Sequence, residues 1–221
     1  MVQVNLSSSY LQFGFISLKS DCSELTKLMM KIKQLYRFER VAMLGHSTGA
    51  QDALYFARYG EAADSVDAII LQGAVSDRDF LAKEEGTPQM LKEAEKLKEE
   101  GKEDAFLIKR LHGAPITAYR FLSLVGRLND DDMFSVDLTE EELKPILSPV
   151  KVPILVCFSE QDEAVLDRLA QKAFAVKMIS ILKESSPRVE CRYFPGDHGL
   201  SKVEYYEPFM SCVCEFLSSL G

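Results

Sequence analysis

Apolar positions along this chain follow two rhythms, short continuous runs and helical stripes, which alternate everywhere except in the middle third. Residues 2–6 form a short apolar–polar run and predict a strand that passes into the Ser7-Ser8-Ser9 loop. Asp21 with Glu24 makes a capping-box pattern. Leu25, Leu28, Met29, Ile32 and Leu35 then recur at helical spacing, so an amphipathic helix should cover one face of a sheet. Residues 40–44 read as a buried strand and residues 50–59 as a helix stopped by Gly60. Residues 66–75 are almost continuously apolar, the pattern of a strand buried on both faces.

From about residue 76 to 148 the alternation stops. Met90, Leu91, Ala94 and Leu97 predict a helix running into the charged stretch 98–104. A second helical pattern lies near residues 106–111, and Pro115 opens a third through Tyr119, Leu122 and Val125. Asp130, Asp131 and Asp132 read as a solvated turn rather than a cation site. Alternation resumes with a strand at 154–158 and a helix bearing Leu166, Leu169, Ala170 and Ala173. A strand at 189–194 and a last helix through Val203, Tyr206, Met210, Val213 and Leu217 follow, with Pro208 in that helix's first turn. The expected fold is α/β, a mostly parallel sheet of about five strands with helices on both faces. Residues 1–75 and 149–221 form the two halves of one core, and 76–148 an inserted helical lid.

The chemistry concentrates in Gly45-His46-Ser47-Thr48-Gly49, a G-x-S-x-G segment between a strand and a helix. A serine there sits on a sharp turn that lifts its hydroxyl off the sheet, with Gly45 and Gly49 giving room for the crossing. The helix N–H groups that follow face the place where negative charge would develop. The plainer alternative is a serine that caps the helix. A serine hydroxyl needs a base, and the base an orienting acid. Of the three histidines, His198 follows the last strand and shares the rim with Ser47, His46 leaves the turn in another direction, and His112 belongs to the insertion. Asp162, after the 154–158 strand, is the preferred acid, with Glu160, Glu163 and Asp77 as rivals. The order Ser47, Asp162, His198 is that of α/β-hydrolases and differs from both protease orders. Gln51 and Asp52 are candidates for bracing the elbow, and Tyr119, Phe121 and Tyr193 for core packing or an acyl pocket.

Composition narrows the partners. With 26 basic against 34 acidic residues the net charge is -8, which disfavours nucleic acid and anionic membrane. No apolar run approaches the ~20 residues needed to cross a bilayer, and no signal peptide is visible. Five cysteines without a C-x-x-C pair read as thiols in a reducing compartment, so a cytoplasmic protein is expected. No metal or organic cofactor is required by this chemistry. Nothing in the sequence sets the oligomeric state.

On these residues the chain resembles the α/β-hydrolase fold enzymes. More narrowly, it is similar to a family that includes fungal siderophore esterases and plant relatives. That likeness rests on Gly45 to Asp52, on Thr117-Ala118-Tyr119-Arg120 with Ser123-Leu124, and on Asp130 through Leu138. The resemblance implies hydrolysis of an ester of a small or medium organic molecule, with Ser47 as nucleophile, His198 as base and Asp162 as acid. It also implies the Thr48 N–H as one oxyanion donor. In that fold three strands and a Gly-rich loop bearing a second donor come earlier, whereas 46 residues precede Ser47 here. An N-terminally truncated form is therefore expected, in which residues 2–6 either pair directly with 40–44 or leave a gap. The alternative function is a non-catalytic relative that binds a small ligand.

Overall fold

The computed structural model describes residues 1–36 and 38–221. Its centre is four strands, β1 (Ala42–His46), β2 (Ala68–Gln72), β3 (Ile154–Ser159) and β4 (Val189–Phe194), all parallel and paired in chain order. β2 and β3 are buried at every position, as apolar runs between two layers of helix must be. Their side chains alternate between the faces. Ile69, Leu71, Ile154 and Val156 pack toward α1 (Leu18–Leu35), α2 (Thr48–Tyr59), α6 (Glu140–Leu147) and α7 (Arg168–Lys183). Ala68, Ile70, Leu155 and Cys157 pack toward α8 (Val203–Ser218) through Phe209, Val213 and Phe216.

Between β2 and β3 lie α3 (Asp77–Leu81), α4 (Thr87–Glu99) and α5 (Ala118–Val125), followed by α6. The first three share a small core of their own, with Leu81, Met90, Ala94, Ile116 and Phe121 at its centre. Among the described residues no helix is long and apolar enough to cross a membrane.

Several expectations are corrected. Residues 2–6 form no strand, so the sheet has four strands rather than about five, and β1 is its outer strand. Local contacts steer the segment elsewhere: Ser7 N–H donates to Glu24, and a turn from Ser9 N–H to the Leu6 carbonyl leads into a short 3-10 helix, Tyr10–Gly14. That helix ends against the insertion, where the Gly14 carbonyl accepts from Thr117 N–H and the Phe13 carbonyl from Arg120. The cap of α1 is Ser17, whose side chain accepts from Ser20 N–H, and this places Asp21 inside the helix and out of water. Residues 106–111 are not helical. They fold back on 114–117 through Phe106–Thr117 and Leu111–Ala114 bridges, reversing at His112 and Gly113, both at positive φ. Pro115 lies in this returning limb, and α5 starts later, capped by Thr117. Asp167 caps α7, leaving Leu166 and Leu169 exposed, and Pro208 sits beyond the first turn of α8.

The three aspartates are the largest departure. Asp130 is exposed, but Asp131 and Asp132 are buried. Asp131 takes a bidentate pair of bonds from the buried guanidinium of Arg120 and a third from Ser123 Oγ at 2.6 Å. Asp132 pairs with Arg78 at 3.1 Å and accepts from Leu128 N–H at 2.8 Å. Three adjacent acids cannot reveal this, because the countercharges come from other helices.

Two outcomes test these buried charges. Arg120→Met leaves Asp131 buried without its cation and should cost about 3–5 kcal/mol in denaturant unfolding. A loss under 1 kcal/mol would contradict that role. Asp52, in α2, is pushed up to about 8 by burial first and then by the charges of Asp21 and Asp131. The folded chain thus keeps a proton that the unfolded chain releases near pH 4, so stability is full below that pH and is lost as pH rises through about 8. Asp52→Asn removes the titration, and its melting temperature relative to wild type should climb between pH 5 and pH 8. The same offset at both pH values would count against it.

Candidate active site

Parallel pairing brings all four strand ends to one rim, and the chain leaving β1 turns there at Ser47. The turn is strained: Ser47 has φ +54° and ψ -124°, a region that side-chain-bearing residues avoid. Gly45 permits it, since a Cβ there would lie 2.0 Å from the Gly49 carbonyl oxygen. Gly49 itself has open space where a Cβ would go, so the steric demand falls on Gly45 alone. Ser47 N–H donates to the Gln72 carbonyl at 3.0 Å and its own carbonyl accepts from Ala50 N–H at 2.8 Å, locking the corner to β2 and starting α2.

The Ser47 side chain makes no capping bond to α2. Its Oγ lies 2.8 Å from His198 Nε2, and His198 Nδ1 lies 2.8 Å from Asp162 Oδ2. Asp162 is 1 % exposed, and its other oxygen accepts from Ala164 N–H at 2.9 Å. The loops carrying these two groups are joined, because Glu160 N–H donates to the Phe194 carbonyl and Gln161 N–H to the Gly196 carbonyl. These bonds continue the β3–β4 pairing one step past the sheet. Gly196, at φ +119°, is pressed against the Tyr205 ring, where a Cβ would lie 2.5 Å from Cγ.

The rival acids lie elsewhere. Glu160 is exposed, and Glu163 accepts from the backbone N–H of His198 at 2.9 Å. Asp77 opens α3 and accepts from Gln51 Nε2, so Gln51 ties α2 to the β2 exit. Burial pushes the Asp77 carboxyl up to about 6, with Asp131 adding to it. His112 lies in the insertion, 3.5 Å from Glu84. The His46 ring does stay near the site, with its centroid 5.0 Å from that of His198. Thr48 is the first residue of α2, so its N–H is one of those that helix geometry leaves without an intrahelical acceptor. Of the three aromatic candidates, Phe121 is fully buried in the insertion's core, while Tyr119 and Tyr193 reach solvent.

The electrostatics favour a positive charge on one imidazole only. The Asp162 hydrogen bond, with the charges of Asp162, Glu163 and Asp77, holds His198 above the ordinary histidine value against the effect of burial. Burial, with the nearby His198, holds His46 below it. Among the described residues no group of three or more His, Cys, Asp or Glu side chains is arranged to hold a metal ion.

Of two cavities among the described residues, one borders this region and the other does not. One of about 260 Å³ lies where β2 exits, between Ala74, Val75, Phe134, Val136, Val165 and Leu166. A larger one, about 300 Å³, opens at the far end of α2 around Tyr55, Tyr59 and Ile146. Eight to twelve helical residues separate Ser47 from those tyrosines, roughly 12–18 Å, so the chemistry of the rim does not reach it.

A family model described as "Protein of unknown function (DUF1749)" matches residues 1–190. The chain belongs to that family. The fusarinine C esterase sidJ of Aspergillus fumigatus is 28% identical over 220 residues, covering 73% of this chain and 62% of that protein. A UPF0613 protein of Schizosaccharomyces pombe is 26% identical over 186 residues, covering 75% of this chain and 59% of its own length. The chain therefore spans about three fifths of the length of these curated relatives. The solved structure of siderophore hydrolase EstB from Aspergillus fumigatus superposes with a TM-score of 0.80 over 98% of this chain and 80% of that one, at 21% identity. That superposition, with another at a TM-score of 0.66 and 18% identity on an α/β-hydrolase fold protein of unknown function, shows that the chain has the α/β-hydrolase fold.

Sequence reasoning missed Gln72, whose side chain bridges His46 and the His198 loop. The signal was a lone amide closing an otherwise apolar strand.

One titration tests the geometry without any assumption about turnover. Asp162→Asn removes the carboxylate that holds His198 up, so the imidazole should titrate at lower pH by NMR. An unchanged midpoint would detach Asp162 from His198.

Proposed function

We propose that this chain is a serine hydrolase that cleaves a carboxylic ester of a small or medium-sized organic molecule. The observation carrying the proposal is the unbroken line of 2.8 Å hydrogen bonds from Ser47 Oγ through His198 to Asp162. Ser47 Oγ attacks the ester carbonyl while His198 Nε2 takes its proton. Asp162 fixes the Nδ1–H tautomer and stabilises the imidazolium. The Thr48 N–H donates to the developing oxyanion. Collapse of the tetrahedral adduct breaks the C–O bond, and His198 returns the proton to the leaving alcohol. Water, deprotonated by the same imidazole, then attacks the acyl-enzyme and releases the acid and free Ser47.

The cavity at the β2 exit is the place for the substrate's apolar portion, and the 76–148 insertion, which supplies Phe134 and Val136, acts as its lid. Since sidJ is a fusarinine C esterase and EstB a siderophore hydrolase, siderophore esters are the first substrates to test. The five free thiols suit a reducing cytoplasm.

Wild type should be labelled by a fluorophosphonate probe, at a rate that rises with pH through a midpoint above the ordinary histidine value near 6.5, because only neutral His198 accepts the proton. Ser47→Ala should abolish labelling and His198→Ala nearly so. A folded wild-type chain that resists the probe would favour the other reading, a non-catalytic relative that binds a small ligand.

A further inference from the structure

We propose that Gln72 is a positioning residue for His198, joining the His46 ring to the backbone of the loop that carries the base. The proposal rests on the hydrolase reading above and adds to it a residue outside the Ser47, His198 and Asp162 line.

Gln72 closes β2, where Ala68, Ile69, Ile70 and Leu71 precede it, and it is 4 % exposed. A primary amide buried there needs partners for its two donors and its acceptor. It has them. Nε2 donates to the His198 carbonyl at 3.0 Å and lies 3.5 Å from Ser159 Oγ, while Oε1 meets His46 Nδ1. The orientation of the amide is forced by chemistry. The His198 carbonyl can only accept, so the amide nitrogen must face it, and the amide oxygen must then face His46. That oxygen accepts in turn, so the hydrogen of neutral His46 sits on Nδ1 and its Nε2 carries the lone pair.

Gln72 therefore does two things to the base. It grips the His198 backbone at its carbonyl, while Glu163 grips the N–H of the same residue at 2.9 Å. The flanking residues are Gly196, at φ +119°, Asp197 and Gly199, and the two glycines bring no side chains of their own to fix the imidazole. It also fixes the His46 ring beside that of His198, where burial and the neighbouring imidazole disfavour a charge on it. The corner is tight. At Gly73, φ +64°, a Cβ would lie 3.0 Å from His198 Cε1 and 3.5 Å from His46 Nδ1.

The test uses the full chain with Gln72→Leu and Gln72→Glu, read by fluorophosphonate labelling rate against pH and by NMR titration of the His198 imidazole. The charged and titratable groups facing that imidazole are Asp162, Glu163, Asp77 and His46. Gln72→Leu frees the carbonyl side of the loop and should slow labelling about 10- to 100-fold, the scale of a misplaced catalytic group. Its His198 midpoint should move to lower pH as the bond to Asp162 loosens. Gln72→Glu sets a carboxylate beside both rings and should move the midpoint to higher pH. The Gln72→Leu shift decides for or against positioning, and if that variant fails to fold, the labelling rate of Gln72→Glu above its midpoint decides instead, since a nearby carboxylate raises the midpoint without slowing a well-placed neutral base. Wild-type midpoints and rates in the folded variants would overturn the proposal, even if melting temperatures fall. A wild-type chain that resists the probe would sink the hydrolase reading instead, and the NMR titration would still decide for or against Gln72.

Discussion

The strained backbone at Ser47 is the constraint on which the site depends. A serine at φ +54° is stable only when its surroundings over-determine it, at a cost of order 1–3 kcal/mol. Two bonds do so here: the N–H is held by the Gln72 carbonyl and the carbonyl by the first turn of α2. The strain is thus anchored in the β1–β2 pairing on one side and in a helix with seven buried residues on the other. The consequence is geometric. With the backbone turned this way the hydroxyl faces the loop after β4, not the N–H groups of its own helix, and the capping role that a serine ordinarily takes is closed to it.

The remaining groups reach the rim by the same pairing logic. β3 runs two residues past the point where β2 ends, since Gln72 pairs with Cys157 while Ser159 still pairs with Phe194. The β3 and β4 exits are therefore bound to each other beyond the sheet, and the loops carrying Asp162 and His198 are joined by backbone hydrogen bonds. The insertion is secured to this frame by buried charge. Gln51 of α2 donates to Asp77 and to the Asp131 carbonyl, and Asp131 in turn holds Arg120, which donates to the Phe13 carbonyl. One short chain of contacts thus links the elbow helix, the insertion and the N-terminal segment. A buried pair of this kind contributes little net stability against an apolar alternative, but it severely penalises any arrangement that separates its members.

Legibility in the sequence divides along the same line. That Ser47, Asp162 and His198 meet could be read because each lies within four residues of a strand end, and a parallel sheet sends such positions to a common edge. The sheet's interior strands were legible as apolar runs. What failed needed distant partners. Residues 2–6 carry a plausible strand pattern, yet Glu24 and the turn at Ser9 divert them. Asp131 and Asp132 look like a solvated turn until Arg120 and Arg78 arrive from other helices. The stretch 106–111 has a helical spacing that Gly113 and the bridge to Thr117 override. Gly49 matched the motif, but the crowding that the motif implies falls on Gly45.

The charges around the rim complete the picture, because they are graded rather than uniform. Asp162 bonds His198 directly, Glu163 holds its backbone, and Asp77 acts only through space. All three favour a proton on that imidazole, while burial opposes it. His46, 5.0 Å away and equally rich in nitrogen, experiences the opposite balance, since burial and the neighbouring ring disfavour its charge. Two histidines from opposite ends of the chain are thereby given different proton affinities, the one by the buried carboxylate of Asp162 and the other by burial, which outweighs the opposing bond from Gln72. Neither histidine's position along the sequence could supply that difference, because it comes from groups that only the fold brings to each ring.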